Sequence, residues 1–299
     1  MWSPAKSTIA IILVLALLAV GTFAFLNWQF GLKPAPSAPV TFPPTITKPA
    51  PKYEVIGTSV EGRKIWAYTY GMGTTTLAFV GGVHGGYEWN SVFLAYRFID
   101  YLNQNPEIIP VNLKVTVIPD LNPDGVFAVV GKEGRFTAEN VSTDQATWVA
   151  GRFNAHQVDL NRNFDCRWQA KSVWQTKTVN GGSTAFSEPE AVAFRDFVLA
   201  TKPAGVVFWH SKANAVYASA CKDGILPGTL DLMNTYAQAA GYPAVKTFDA
   251  YQTTGAADDW LASIKIPAIT VELSTHETIE WDKNLAGIKA LIDKLRKKE

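Results

Sequence analysis

The sequence predicts an α/β fold: a single domain with a mixed, mostly parallel sheet covered by helices on both faces, preceded by an N-terminal hydrophobic segment. Three observations predict it. Short apolar runs of strand length alternate with amphipathic runs of helix length, the pattern of a layered α/β domain. Several of those short runs lack polar alternation, as strands buried on both faces do. The first 51 residues differ in composition from the remainder, holding three Lys, no Asp or Glu and the whole of the long apolar stretch. With 47% hydrophobic and 18% charged residues among 299, the chain is not a disordered one. Its 27 basic and 26 acidic residues give a net charge of +1, which offers no field for nucleic acid and excludes that partner class.

Taken in order, residues 1–32 form an N-terminal segment whose stretch Ile9 to Leu26 carries no charge. As a helix, rising about 1.5 Å per residue, it approaches the thickness of a bilayer core. Lys6 before it places the remainder outside the cytoplasm. The segment stays as a membrane anchor or is cleaved as a signal peptide after the small residues Ala19-Val20-Gly21. Residues 33–51 hold seven of the seventeen prolines and read as an extended linker. Residues 52–299 are the catalytic-sized domain. Within it Ile65 to Tyr70, Leu77 to Val80 and Leu113 to Ile118 read as strands, and Glu88 to Leu102 as a helix with Val92, Phe93, Tyr96, Phe98 and Ile99 on its apolar face. Ser187 and Glu190 form a capping-box pattern before a helix over Ala191 to Ala200. Ala204 to Trp209 and Ala268 to Leu273 suit buried parallel strands, and Leu285 to Leu295 a closing helix.

In open α/β sheets chemistry gathers beyond the carboxyl ends of strands. His84 and Glu88 follow the run ending at Val80, His210 follows Trp209, and Glu272 lies in the last strand. A catalytic zinc commonly takes two His and one carboxylate and keeps a fourth position for water, so His84, Glu88 and His210 are a candidate set for one ion. Glu272, among Ile269, Val271 and Leu273, is a carboxylate that burial tunes towards general-base work. His276-Glu277-Thr278-Ile279-Glu280 lacks the second His of a His-Glu-x-x-His helix and is set aside, and His156 reads as a solvated loop residue. Cys166 and Cys221, the only cysteines, are candidates for a disulfide in an oxidising compartment, the alternative being two separate buried thiols.

Eight segments occur in an order that resembles the zinc carboxypeptidases related to carboxypeptidase A: Gly57 to Arg63, His84 to Trp89, Asn122-Pro123-Asp124-Gly125, Val158 to Phe164, Phe186 to Glu190, His210-Ser211, Tyr251 and Glu272-Leu273. The resemblance runs from about residue 53 to the end. It implies a zinc metallocarboxypeptidase acting on peptides with a free C-terminal carboxylate. By the same resemblance Asn161 and Arg162 bind that carboxylate, Arg152 stabilises the oxyanion with Arg135 as its rival, and Tyr251 closes on the substrate's end. Asp159 holds a zinc histidine in place, and Asp258 lies in the pocket for the final side chain. One departure stands out, because the family's His-x-x-Glu is here His84-x-x-x-Glu88. Either Gly85-Gly86 absorbs the extra residue as a bulge, which Trp89 after Glu88 favours, or metal binding is altered.

Two other functions fit the same residues: a zinc amidase acting on peptidoglycan stem peptides or N-acyl amino acids, and a tethered binding module without activity. Retention of Glu272 argues against the second. An extracytoplasmic enzyme is expected, held to the membrane by its N-terminal segment or secreted.

Overall fold

In a computed structural model the structure describes residues 4–29, 31 and 50–296. The chain divides into two units, residues 1–47 and 48–299. The first contains helix α1, Pro4–Gln29. Among the described residues no helix is long and apolar enough to cross a membrane, so the expected span over Ile9 to Leu26 finds no support there. The linker expected at 33–51 lies, up to residue 49, outside the described residues.

In the second unit the strands are β1 (Lys52–Thr58), β2 (Lys64–Tyr70), β3 (Thr75–Val80), β4 (Leu113–Ile118), β5 (Lys171–Trp174), β6 (Lys177–Asn180), β7 (Gly205–Ser211), β8 (Ala215–Ala218), β9 (Ala220–Cys221), β10 (Gly224–Ile225), β11 (Ala244–Val245) and β12 (Ala268–Leu273). The helices are α2 (Trp89–Gln104), α3 (Pro123–Val130), α4 (Gln145–Ala150), α5 (Pro189–Thr201), α6 (Pro227–Ala240), α7 (Ala257–Ser263) and α8 (Trp281–Arg296). Eight strands form one sheet in the order β1-β2-β4-β3-β7-β12-β8-β11. The run β4-β3-β7-β12 is parallel, while β1, β2 and β8 join antiparallel. β5 with β6 and β9 with β10 are separate hairpins.

Successive residues of a strand face opposite sides, and the core divides accordingly. Leu77, Phe79, Val207, Trp209, Ile269 and Val271 pack under α2, α3, α6 and α8. Ala78, Val80, Val206, Phe208 and Ala268 pack under α5 and α7 with Leu160 and Phe164. All seven residues of β7 are buried, which explains a run without polar alternation. His210 and Glu272 continue the α5/α7 side of β7 and β12, where they are direct register partners.

Two local readings are corrected. Ser187 does not cap α5: its hydroxyl donates to Glu188 Oε1, while Glu188 occupies the cap and Pro189 opens the helix. Proline at the first helical position gives up only an N–H that has no helical acceptor. Asn122-Pro123-Asp124-Gly125, a turn signal in isolation, is the start of α3, with Asn122 Oδ1 accepting from Gly125 N–H. Asp124 there ties down the Gly57 to Arg63 segment through Ser59 Oγ at 2.6 Å and Arg63 Nη1 at 2.7 Å.

Candidate active site

Beyond β3 the chain turns through Gly81 and Gly82 into a single 3₁₀ turn, Gly85–Glu88, which runs directly into α2. Gly85 has φ +48°, and a Cβ there would lie 2.4 Å from Gly151 O. Only glycine takes that position without displacing backbone. The additional residue between His84 and Glu88 is thus absorbed in a turn pressed against α3 and α4, and both side chains still meet His210. Ligand atoms of His84, Glu88 and His210 all lie within 4.8 Å of one another, and all three residues are buried.

Electrostatics put His84 and Glu88 in a ligating state, whereas at His210 the lowering effect of burial is outweighed by Glu88, which raises its basicity. Burial and then the Arg152 charge lower His84 to about 4, so its ring is neutral. Burial alone would raise Glu88, but His84 and His210 hold it below the usual carboxylate range. Glu88 Oε2 lies 2.9 Å from His210 Nδ1 and accepts from Ser211 N–H at 3.2 Å. His84 Nδ1 is buried and lacks a hydrogen bond, standing 3.4 Å from Asp159 Oδ1. A neutral His84 imidazole with a nitrogen short of a partner, an anionic Glu88 and a buried His210 beside them are a donor set that zinc accepts.

Glu272 stands beside this group with Oε2 enclosed and unpartnered. Burial, then the charge of Glu88, push its carboxyl up to about 7, against the opposing pull of His210 and Arg152. Arg152 is buried in the same place: Nε and Nη2 reach Asp159 Oδ2 at 3.0 and 2.9 Å, Nη2 reaches His84 Nε2 at 3.1 Å, and the guanidinium lies 4.3 Å from the Trp174 ring centre. Arg135 instead pairs with Asp100 and lies over Tyr96, outside the site. Asp159, tied to Arg152 and near His84, is held well below the usual range, burial being outweighed by those charges.

His84, Glu88, Arg152, His210 and Glu272 line a cleft of 740 Å³. Asn161 and Arg162 lie in its wall. Arg162 gives Nε and Nη2 to Val173 O and Nη1 to Asn161 O, so its planar fork is oriented by backbone. Asn161 Oδ1 accepts from Ala257 N–H at 2.9 Å. Tyr251 is packed edge-on against Phe248, with ring centres 4.8 Å apart. Asp258 accepts from Thr270 Oγ1 at 2.9 Å, while Asp259 turns away to Ala220 N–H and Arg167. Cys166 and Cys221 form a disulfide that ties the segment after Arg162 to the β9–β10 hairpin.

Sequence reasoning missed part of the cleft. His276, set aside for lacking a zinc-helix motif, lines it, as do Tyr87, Trp174, Lys212 and Lys246. The usable signal for His276 was its place just beyond the strand that carries Glu272. His156 is not merely solvated, since its Nδ1 lies 2.8 Å from Glu188 Oε2.

A mixed α/β sheet with two histidines and two glutamates gathered at the carboxyl ends of its strands is an arrangement suited to a metal-dependent hydrolase. The chain belongs to the zinc carboxypeptidase family, whose model matches residues 47–286. It is 24% identical over 243 residues to gamma-D-glutamyl-L-diamino acid endopeptidase 1 of Lysinibacillus sphaericus, covering 74% of this chain and 60% of that one. It is 31% identical over 142 residues to murein peptide amidase A of Escherichia coli K12, covering 43% and 55%. The chain thus spans less than two thirds of the length of these relatives. Among solved structures it resembles murein-tripeptide amidase MpaA from Escherichia coli O157, with a TM-score of 0.59, 22% identity and 84% and 93% of the two chains covered. It also resembles carboxypeptidase A from Helicoverpa armigera, with a TM-score of 0.61, 19% identity and 81% and 69% covered.

Proposed function

We propose that the protein is a one-zinc peptidase that hydrolyses the amide bond before a C-terminal residue bearing a free carboxylate and a basic or diamino side chain. The observation that carries this reading is Glu272, whose Oε2 is enclosed without a hydrogen bond beside His84, Glu88 and His210, in the lining of the cleft. Those three residues would hold the zinc, which would lower the pKa of a bound water and polarise the substrate carbonyl. Glu272 takes the proton from the attacking water and returns it to the leaving amine. Arg152 faces the developing oxyanion, and the Asn161–Arg162 pair receives the substrate carboxylate, with Tyr251 closing over it.

Asp258 sits at the end of the cleft that receives the leaving residue, where its carboxylate matches an amine. Arg167 and Lys246 line the same cleft, which suits a diamino acid with a second carboxylate. The names of the two curated relatives favour a stem-peptide amide of this kind over a general protein substrate. The disulfide supports an extracytoplasmic location, because such bonds persist in oxidising compartments.

The test is release of C-terminal Lys, diaminopimelate and Phe from matched peptides, with and without chelator. Chelator-sensitive release of the first two supports the reading, and no release of any sinks it. Asp258→Ala lowers kcat/KM for Lys by about 10- to 100-fold and for Phe much less. An equal fall for both removes Asp258 from the specificity pocket.

A further inference from the structure

Arg152 and Asp159 sit on the two arms of one loop, since residues 151–159 lie in no helix or strand and run from the end of α4 to the 3₁₀ turn Leu160–Arg162. Their ion pair joins the arms inside the site. Asn154 closes the loop behind it. Its N–H donates to Val158 O at 3.0 Å, and its Oδ1 accepts from His156 N–H at 3.1 Å and Val158 N–H at 3.0 Å. At the tip Gln157 takes φ +58°, a left-handed conformation that a residue with a Cβ keeps only where its surroundings enforce it.

Two backbone N–H groups fix the amide oxygen of Asn154, so its nitrogen points the other way, and both protons there go to carboxylates: Glu188 Oε2 at 2.7 Å and Glu190 Oε2 at 3.1 Å. Asn154, Glu188 and Glu190 are all buried, and none of the three lines the cleft. Glu188 Oε2 also meets His156 Nδ1 at 2.8 Å, and Glu190 Oε1 accepts from Val60 N–H at 3.1 Å. Two buried carboxylates converging on one neutral amide are a costly fastening, because each gives up its hydration and apolar packing would hold a loop without that loss. What they add is direction. Both stand at the start of α5, where Pro189 opens the helix, so the loop is tied to a rigid element on the sheet rather than to its own arms.

A guanidinium that stabilises developing charge acts by being in place before the charge forms, and a displacement of about 1 Å costs up to about a hundredfold in rate. Arg152 is carried by a loop, the kind of segment least able to hold such a position unaided. We propose that Asn154, anchored by Glu188 and Glu190, is a positioning residue for the reaction: it fixes the 154–158 loop so that Arg152 meets the developing oxyanion. This rests on the peptidase reading above and adds to it a support that lies outside the cleft.

A double-mutant cycle on the zinc-loaded protein tests it, using whichever of the peptides ending in Lys, diaminopimelate or Phe the wild type cleaves fastest, with zinc content and Tm measured for each variant. Asn154→Ala lowers kcat by about 10- to 100-fold and changes KM by less than about threefold, because Asn161 and Arg162, which receive the substrate carboxylate, lie beyond the loop. With Arg152→Gln already present, the same substitution lowers kcat by less than about threefold, since no guanidinium is left to misplace. Glu188→Gln, which keeps size but turns an anchoring carboxylate into an amide, gives a smaller fall with the same dependence on Arg152, and it carries the cycle alone if Asn154→Ala does not fold. Equal falls with and without Arg152 make the loop an ordinary structural part and overturn the proposal. Loss of folding in both Asn154→Ala and Glu188→Gln overturns it as well, by assigning the cluster to the fold. Activity of Arg152→Gln within about threefold of wild type removes Arg152 from the oxyanion and the positioning role with it, leaving the peptidase reading intact. Wild type that cleaves none of the three peptides overturns the peptidase reading and the positioning role together.

Discussion

Replacing Glu272 with Gln removes the base while keeping size and a polar contact. That variant folds and binds zinc as the wild type does, but loses about three orders of magnitude or more in kcat. Activity within tenfold of wild type assigns the proton transfer to another group. His84, Glu88, His210 and Glu272 were legible in the sequence because each lies beside an apolar run, and runs of that kind end at the chemical edge of a sheet. His276 was not, because a hydrogen-bond chain from Asn90 through Ser211 places it, and no local pattern encodes that chain. Arg162 was legible as a cation near the substrate, but its anchoring to Val173 O depends on the β5–β6 hairpin, whose sequence carries few strand signals.

Among the elements, the Cys166–Cys221 bond holds the β9–β10 hairpin against the segment that follows Arg162. The two cysteines are 55 residues apart, and closing a loop of that length contributes about 4 kcal/mol in the chain-entropy model. Cys221→Ser therefore lowers Tm by many degrees and raises KM more than it lowers kcat. An unchanged Tm removes the bond from the stability of the fold. Asp259, anchored to the same hairpin, gives a pH dependence of defined sign. Burial, then Asp258, carries its carboxyl up to about 7, whereas an unfolded aspartate titrates near 4. Folding takes up a proton between those values, so its contribution to stability is lost as pH rises from about 4 to about 7. In urea titrations Asp259→Asn gains on wild type across that interval, and a pH-independent difference contradicts the assignment. Strands β4 and β12 were readable to the residue because buried strands concentrate apolar side chains. β8 and β11 are too short to show a period, and β11 has only two residues.

Across the whole molecule, metal and fold are coupled, since a site built from three separated segments exists only in the folded chain. Zinc added to chelator-stripped protein raises Tm by several degrees, because a ligand that binds only the native state stabilises it in proportion to the logarithm of its concentration. In His210→Ala the rise disappears and no equivalent of zinc is retained. A variant that still holds one equivalent has its metal elsewhere. The order β3-β7-β12 gives the same molecule a tolerance and a vulnerability. His210 and Glu272 are paired across neighbouring parallel strands, so any side chain exchanged at either position stays over the cleft, and chemistry can vary while the scaffold remains. Length cannot vary in the same way. Losing one residue between Ala268 and Glu272, while Ala268 keeps its pairing, turns Glu272 to the face under α6 and α8 and brings Leu273 to the cleft. A point change at the catalytic strand leaves the sheet in register, whereas a single-codon deletion there removes the base from the cleft and buries a carboxylate in oil.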